Sequence, residues 1–189
     1  MKNLLLACIA AMLTGCAATE LNTSWKEPTT QGPVNFKKVV VLVVNSIPFE
    51  RRAQEDELVS HIKKTTAVAA YTFIPDDQLV DRERVKQAIV QSGADGAVVL
   101  RLMEARQETA YIPSSSSYWS GSSWGGAYSP GHTVTNTIIR AEVTLYSVPE
   151  GKMLWSGSST TTDPENARDF ALQVARAAEN EMRKQGLLK

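Results

Sequence analysis

The spacing of hydrophobic residues changes along the chain, and this change predicts the order of its secondary-structure elements. Six consecutive apolar residues, five of them valine, run from Val39 to Val44. A run without alternation is typical of a strand covered on both faces, as in a sheet with helices packed against it. A buried helix is the alternative interpretation, but the density of valine and the Asn-Ser and Pro48 that follow favour a strand.

Helical and strand-like segments alternate after this first strand. The pattern predicts a helix over residues 50–64, a short strand over residues 67–74 and a third strand over residues 97–103. A second helix lies between the last two strands. Asp81 is suited to cap its beginning, and Gly93 is suited to end it. This part of the chain therefore predicts a β-α-β-α-β order.

In the second part of the chain the period becomes two. The odd-numbered residues from 135 to 145 form one face, which is apolar from Ile139 onward. The even-numbered residues from 136 to 146 form the other face, which is half polar. Such alternation is typical of a strand in a sheet with one solvated side. The Pro149-Glu150-Gly151 segment predicts a turn, and residues 152–158 are expected to return as an antiparallel strand.

A C-terminal helix is predicted to close the chain. Asp163 is expected to cap this helix, with Pro164 at its first position. Its apolar stripe consists of Phe170, Val174, Ala178 and Met182. The whole pattern predicts a single α/β domain over residues 36–189. Its mixed sheet has a β-α-β-α-β start, followed by antiparallel hairpins and the C-terminal helix.

The first sixteen residues resemble the export signal of a bacterial lipoprotein. Lys2 precedes an apolar run of roughly ten residues, which is too short to cross a bilayer as a helix and suits a signal peptide. The run ends in Leu13-Thr14-Gly15-Cys16, which is similar to a lipobox. The resemblance implies removal of residues 1–15, a thioether-linked lipid on Cys16 and acylation of its new amine. An ordinary signal peptide with a chance cysteine is the alternative.

This lipidation has consequences for location. One acyl chain anchors only marginally, whereas several together hold a protein stably on a membrane. The Ala17-Ala18 that follows Cys16 resembles the outer-membrane-sorted pattern of lipoproteins, because the inner-membrane retention signal usually has Asp beside the cysteine. We therefore expect the periplasmic face of the outer membrane of a Gram-negative cell. Residues 16–35, which are polar and include Pro28 and Pro33, are predicted to be a lipidated tether.

Cysteine content and charge argue against several kinds of site. Cys8 lies in the predicted signal peptide and Cys16 is predicted to carry lipid, so no thiol remains for a disulfide, a metal or nucleophilic catalysis. The 20 basic and 20 acidic residues give a net charge of 0 with no prominent basic patch, which argues against a nucleic-acid partner. With two histidines, we predict no metal site and no cofactor.

The segment 113–132 interrupts this order with serine, glycine and aromatic residues. Because segments 104–112 and 133–147 are both strand-like, it is predicted to lie at the far end of a hairpin and not between two domains. Tyrosine and tryptophan supply contact area in recognition surfaces, while serine and glycine adapt. An envelope protein is the expected partner, with a membrane interface or sugar rings as alternatives. A flexible low-complexity loop that folds back on the edge of the domain is the other interpretation of this segment. The candidate partner-binding residues are Tyr118, Trp119, Trp124 and Tyr128.

Two short motifs suggest catalysis but lack the rest of a catalytic site. Residues 121–125 match the G-x-S-x-G of hydrolases, yet neither the expected strand before it nor the helix after it is predicted. Ser60 and Lys63 match S-x-x-K, but they fall on a charged helix without the partner motifs. The acidic residues at 55–57 and at 76–77 suggest cation ligands, yet neighbours on a helix point apart and a Pro-Asp-Asp turn is common.

Three segments together resemble a group of small bacterial envelope lipoproteins. These are the strand at residues 38–45, the sequence "SGADGAVVLRL", and "AEVTLYSVPEGKMLWSGS" with its turn-Gly-Lys-x-x-Trp hairpin at residues 151–155. The chain resembles, over residues 36–188, the N-terminal domain of the Tol-system propeller protein, the curli secretion channel and lipoprotein activators of penicillin-binding proteins. The resemblance implies this α/β fold and an envelope location. The sequence carries no propeller and no glycan-binding signature.

These observations predict a non-catalytic accessory or protein-interaction lipoprotein of the cell envelope. A serine hydrolase using residues 121–125 is one alternative. A subunit of a secretion pore is another, but a membrane hairpin needs about nine to eleven residues with a continuous apolar side. The predicted hairpin carries Arg101, Glu104, Arg106 and Glu108, which makes it too polar for insertion.

Overall fold

The computed structural model describes residues 18–45, 47–113, 115–117 and 127–189. The predicted signal peptide lies outside these residues. Within them, the chain forms a mixed α/β fold with a six-stranded sheet, three α-helices and a small two-stranded ladder. The predicted fold class, including the β-α-β-α-β order and the C-terminal helix, is confirmed. The helices are α1 (Pro48–His61), α2 (Arg82–Gln91) and α3 (Ala167–Lys184).

The main sheet has the strand order β1-β8-β7-β4-β2-β3. Strand β2 runs parallel to its neighbours β3 and β4, whereas every other pairing in the sheet is antiparallel. Strands β5 and β6 form the separate ladder. The strands are β1 (Ala18–Lys26), β2 (Lys38–Val44), β3 (Thr66–Ala69), β4 (Gly96–Ile112), β5 (Ser115–Ser117), β6 (Ala127–Ser129), β7 (His132–Ser147) and β8 (Lys152–Thr162).

The valine-rich strand β2 is buried on both faces, as its sequence predicts. Val41 and Val43 face helices α1 and α3, which cover one side of the sheet. Val40 and Leu42 face the other side, where α2 and the segment after β3 pack. This second layer covers only the part of the sheet around β2. Beyond it, on the same side, β7, β8 and β1 carry polar side chains such as Glu142, Ser156 and Thr23.

Part of the predicted tether is wrong, because it forms the strand β1. Residues 18–26, which we predicted as part of a polar linker, pair with β8 along the edge of the sheet. Hydroxyl and amide side chains link the two strands: Thr19 Oγ1 lies 2.7 Å from Thr161 Oγ1, and Asn22 Nδ2 donates to Thr160 Oγ1 over 2.8 Å. Such cross-strand hydrogen bonds stabilise a strand that has few apolar residues.

Several element boundaries also differ from their predictions. The last helix is capped by Asn166 and not by Asp163, because the Asn166 side chain accepts hydrogen bonds from the Arg168 and Asp169 amides. Asp163 instead adopts a φ of 49° and accepts a hydrogen bond from the Thr137 amide. Strand β3 ends at Ala69, and the predicted strand over residues 97–103 extends to residue 112.

The predicted limits of the second helix are confirmed. The Asp81 side chain accepts hydrogen bonds of 3.1 Å from the Glu83 and Arg84 amides at the start of α2. Gly93 follows the helix with a φ of 70°, a conformation that glycine adopts without steric cost. No helix in the described parts of the chain combines the length and the apolar character needed to span a bilayer.

Candidate functional site

Strands β4 and β7 extend beyond the rest of the sheet as a two-stranded ribbon. They pair from Gly96 opposite Ser147 to Ile112 opposite His132. Strand β2 supports β4 only as far as Arg101, and β8 supports β7 only from Ile138. The outermost six residue pairs therefore have no neighbouring strand and project about 20 Å at the usual rise of a strand. We call residues 107–112 and 132–137 the ribbon.

The two strands of the ribbon pair with each other, so the chain returns along the same hairpin after residues 113–132. Beyond the ribbon, β5 and β6 continue the antiparallel pairing, with Ser115 opposite Ser129. Tyr128 belongs to β6. The other three candidate partner-binding residues, Tyr118, Trp119 and Trp124, lie outside the described residues. The same is true of Cys16 and of the G-x-S-x-G at residues 121–125.

The described part of the ribbon exposes apolar side chains at its outer end. Tyr111 is 68% exposed and Ile112 is 45% exposed. Met103, at the irregularity in the pairing of β4, is 60% exposed. Tyr111 and Ile112 are neighbours in the strand and lie on opposite faces, so each face of the ribbon carries a large exposed apolar side chain at its outer end. The pattern of the sequence did not single these residues out, because they belong to a long alternating strand.

Charged residues line one face of the hairpin where it leaves the body. Arg106 Nη2 lies 2.6 Å from Glu108 Oε1, and its Nη1 lies 3.5 Å from Glu104 Oε1. Glu104 also approaches Arg140 Nη1 at 3.5 Å. These groups are 40–52% exposed, so they stabilise the hairpin only slightly. They do give this face alternating charges and make it water-compatible.

The ribbon lies at the same end of the sheet as the beginning of β1. Ala18 pairs with Thr162, and Thr162 pairs on its other side with Ile138. Ile138 is the residue at which the ribbon leaves the body. Cys16 precedes Ala18 by two residues. The predicted lipidation site is therefore close in sequence to the ribbon end of the sheet.

The remaining candidate motifs are explained by contacts within the fold. Ser60 Oγ donates to the Glu57 carbonyl within α1, over 2.8 Å, on the exposed side of the helix. Within the described ranges, no three His, Cys, Asp or Glu side chains are grouped closely enough to hold a metal ion. The acidic residues Glu55 and Asp76, which the sequence suggested as possible cation ligands, both bind the guanidinium of Arg51.

This Arg51 network is the main polar cluster of the interior. Arg51 is fully buried. Its Nε donates a hydrogen bond to Glu55 Oε1 over 2.9 Å, and its Nη1 donates one to Asp76 Oδ1 over 2.7 Å. Glu55 also accepts from the amides of Val43 and Tyr71. Burial raises the pKa of Glu55, whereas the hydrogen bond from Arg51 lowers the pKa of Asp76. The network links α1 to β2 and to the segment after β3.

Comparisons with known proteins identify similar folds only. No protein-family model matches the chain, and no curated protein sequence matches it. Solved structures with similarity include two of the PelC dodecamer from Paraburkholderia phytofirmans. The L103M form is 12% identical, with a TM-score of 0.46 and coverage of 85% of this chain and 94% of that chain. The other is 14% identical, with a TM-score of 0.44 and coverage of 82% and 90%.

A third similar structure is that of the lipoprotein GNA1162 from Neisseria meningitidis. It is 14% identical, has a TM-score of 0.40, and the match covers 78% of this chain and 98% of that chain.

Proposed function

We propose that this protein is a lipoprotein of the outer membrane that faces the periplasm and acts as a non-catalytic interaction module of the cell envelope. The observation that carries the proposal is the position of the ribbon. It projects from the same end of the sheet at which β1 begins, two residues after the predicted lipidation site. The anchor and the projecting surface therefore share one end of the molecule.

The lipobox-like segment supports the anchor. Acylation at the sulfur and at the amine of Cys16 would give the several chains that stable anchoring requires. Because Ala18 already belongs to β1, the lipidated residue lies at most two residues, or about 7 Å, from the sheet. We infer that the folded body is held close to the membrane and that the sheet is tilted, so that the ribbon, which projects about 20 Å beyond Ala18, lies along the membrane surface and does not enter it.

The ribbon supports the interaction role. A two-stranded ribbon buries little surface of its own, so it contributes little to the stability of the body. It places Tyr111 and Ile112 in solvent, next to a segment that contains Tyr118, Trp119 and Trp124. Aromatic side chains of this kind dominate the binding energy of protein interfaces. We propose that an envelope protein binds this surface.

The charges of the hairpin favour a protein partner over insertion into lipid. Glu104, Arg106, Glu108 and Arg140 share one face where the ribbon leaves the body. A membrane-spanning strand keeps one continuous apolar side toward lipid, and charged side chains on that side are costly. Alternating charges instead suit a partner surface of complementary potential, which fixes orientation.

In-cell photo-crosslinking from Tyr111 tests this proposal. A photoreactive amino acid at Tyr111 is expected to give one predominant protein adduct. The same group at Val90, which is 54% exposed on α2, serves as the matched control and should not give it. Adding Cys16→Ser should abolish the adduct, because the unlipidated chain is no longer held at the membrane. Equal adduct patterns from both positions would contradict the interaction role, and an adduct that survives Cys16→Ser would contradict the role of the anchor.

A further inference from the structure

A large cavity that is open to solvent on one side lies between the main layer of helices and the sheet. Its volume is about 780 Å³, and it lies between α1, α3 and strands β2, β4 and β7. It opens where α1 and α3 end and where the chain enters β2. This is the end of the sheet opposite the ribbon, because β2 and β4 begin there. Its volume falls within the range of about 300–1,000 Å³ that is typical of ligand sites.

The interior of this cavity is apolar. The sheet contributes Val41, Leu100 and Val143, each at most 4% exposed. Helix α3 turns three alanines toward the same space at positions 171, 175 and 178. Ala171 and Ala178 are buried against the sheet, whereas Ala175 is half-buried and borders the open space. Water is a poor occupant of such a space, because a buried water needs two to four polar partners.

The mouth of the cavity is basic. Its cationic side chains come from the end of α1 and from the end of the chain: Lys63, Lys64, Arg183 and Lys189. Among the described residues, Glu179 is the one acidic side chain that lines the mouth, and it accepts a hydrogen bond of 3.1 Å from Arg183 Nε. Lys63 and Lys64 are both exposed. Lys64 Nζ reaches the main-chain oxygen of Lys189 over 3.0 Å, which orients one ammonium group at the opening.

We propose that the cavity binds an anionic amphiphile with a single acyl chain. The acyl chain would lie among the valines, leucines and alanines, where burial of apolar surface drives binding. The carboxylate or phosphate headgroup would remain at the mouth, where Lys63 and Lys64 form charge-assisted hydrogen bonds with it. The proposal is independent of the proposed function, because the cavity opens at the end of the sheet away from the anchor.

Binding of three sixteen-carbon amphiphiles tests the charge and the chemistry of the headgroup. The full chain with Cys16→Ser, which has no acyl chains of its own, is delipidated on a hydrophobic resin and titrated below the micelle concentrations. Palmitate or hexadecyl phosphate is expected to bind in a saturable manner and to raise the melting temperature. The tighter of the two identifies the headgroup. Hexadecyltrimethylammonium should bind at least about tenfold more weakly than this preferred anion.

Filling the cavity provides a test that separates binding from folding. Ala175→Phe places an aromatic ring in the empty space, so it is expected to weaken binding at least about tenfold while the ligand-free melting temperature is unchanged or higher. Asn180→Phe adds the same side chain to an exposed position of α3 and should bind normally. Normal binding by Ala175→Phe would overturn the location of the site.

Reversing the charge of the mouth tests the role of the lysines. Lys63→Glu with Lys64→Glu is expected to weaken binding of the anionic amphiphile at least about tenfold, without weakening binding of the ammonium compound. Arg82→Glu with Lys86→Glu makes the same change of net charge on α2, away from the mouth, and should leave the affinities as they are. The absence of saturable binding, or equal binding of anionic and cationic amphiphiles, would overturn the proposal.

Discussion

Trp155 illustrates how a buried side chain depends on the residue beside it. It is fully buried, and its Nε1 donates to Gln185 Oε1 over 3.2 Å. A Cβ atom on Gly157 would lie 2.3 Å from its Cη2, so only glycine fits where the ring crosses the strand. The sequence indicates the hairpin that contains Trp155. It does not indicate the need for Gly157, because that need arises from the orientation of the ring.

The buried side chain of Arg51 requires neighbours that compensate its charge, whereas that of Trp155 requires a neighbour that is small. A buried guanidinium is stable only when anions and carbonyl groups replace the water that it has lost. Glu55 and Asp76 provide the anions, and the Ile74 carbonyl accepts a hydrogen bond of 3.1 Å from Nη1. Among the described buried polar atoms, Arg51 Nη2 lacks a hydrogen-bond partner. Removing either carboxylate should therefore lower the free energy of unfolding.

Asp76→Asn is expected to lower the free energy of unfolding by about 1 kcal/mol at pH 7, because it removes the charge that faces Arg51. The hydrogen bond from Arg51 holds the pKa of Asp76 below its usual value in the folded chain. The ionised carboxylate therefore stabilises the fold above the unfolded pKa of about 3.9, and this contribution is lost as the pH falls through the lower folded-state pKa. Urea denaturation of both proteins across the acid range measures the difference.

The matched control for this prediction is Asp77→Asn. Asp77 is exposed on the same turn and should be nearly neutral when replaced. Glu55, whose pKa is raised by burial, titrates in both proteins and largely cancels from their difference. A variant Asp76→Asn that is as stable as Asp77→Asn at pH 7, or a difference that does not shrink on acidification, would show that Asp76 does not compensate Arg51.

At the scale of elements, the last helix begins where a side chain accepts hydrogen bonds from its first free amides, and not at the first residue of a type that commonly caps helices. Asp163 and Pro164 have the residue types of a helix start, which is why the sequence predicted the cap there. The chain instead uses Asp163 to bind the Thr137 amide over 2.6 Å and reaches helical geometry only after Asn166. Tertiary pairing of β7 with the segment after β8 thus displaces the helix start by three residues.

Asn166→Ala is expected to lower the free energy of unfolding by about 1 kcal/mol, because the Arg168 and Asp169 amides would lose their side-chain acceptor. Asn180→Ala is the matched control. It makes the same substitution in the exposed interior of α3, where alanine favours the helix and should be neutral or slightly stabilising. Denaturation midpoints that are equal for the two variants would show that Asn166 does not act as the cap.

The sequence predicts some of these elements and misses others. The valine run and the Asp81 and Gly93 signals predict β2 and α2, because each is determined by residues within the element. Strand β1 was missed, since its hydroxyl and amide side chains have no apolar period and it is held by β8. The ribbon was predicted as a hairpin, but its length depends on where β2 and β8 end. The apolar stripe of α3 indicates which side of the helix faces the sheet, but the cavity depends on how closely the helix packs there, which no local pattern contains.

At the scale of the whole molecule, the two proposed sites lie at opposite ends of one sheet. The start of β1 and the ribbon are at one end, and the basic mouth of the cavity is at the other. A protein anchored through Cys16 would therefore present its ribbon near the membrane and open its cavity away from it. An amphiphile would enter from the periplasmic side while the ribbon contacts a partner at a fixed height.

Lengthening the connection between Cys16 and β1 tests whether the partner binds the ribbon at a fixed distance from the membrane. A Gly/Ser linker of about 20 residues inserted between Ala17 and Ala18 would let the body move about 25 Å from its anchor. If the partner is met at a fixed height, the effective concentration of the ribbon at the partner falls, and the crosslink from Tyr111 should weaken severalfold. The same linker added after Lys189 changes the mass equally without moving the body, and the crosslink should persist. Since β1 remains paired with β8 in both proteins, their melting temperatures should agree. An undiminished Tyr111 adduct in the first variant would mean that the partner follows the ribbon freely, and that the closeness of Cys16 to β1 does not position the site.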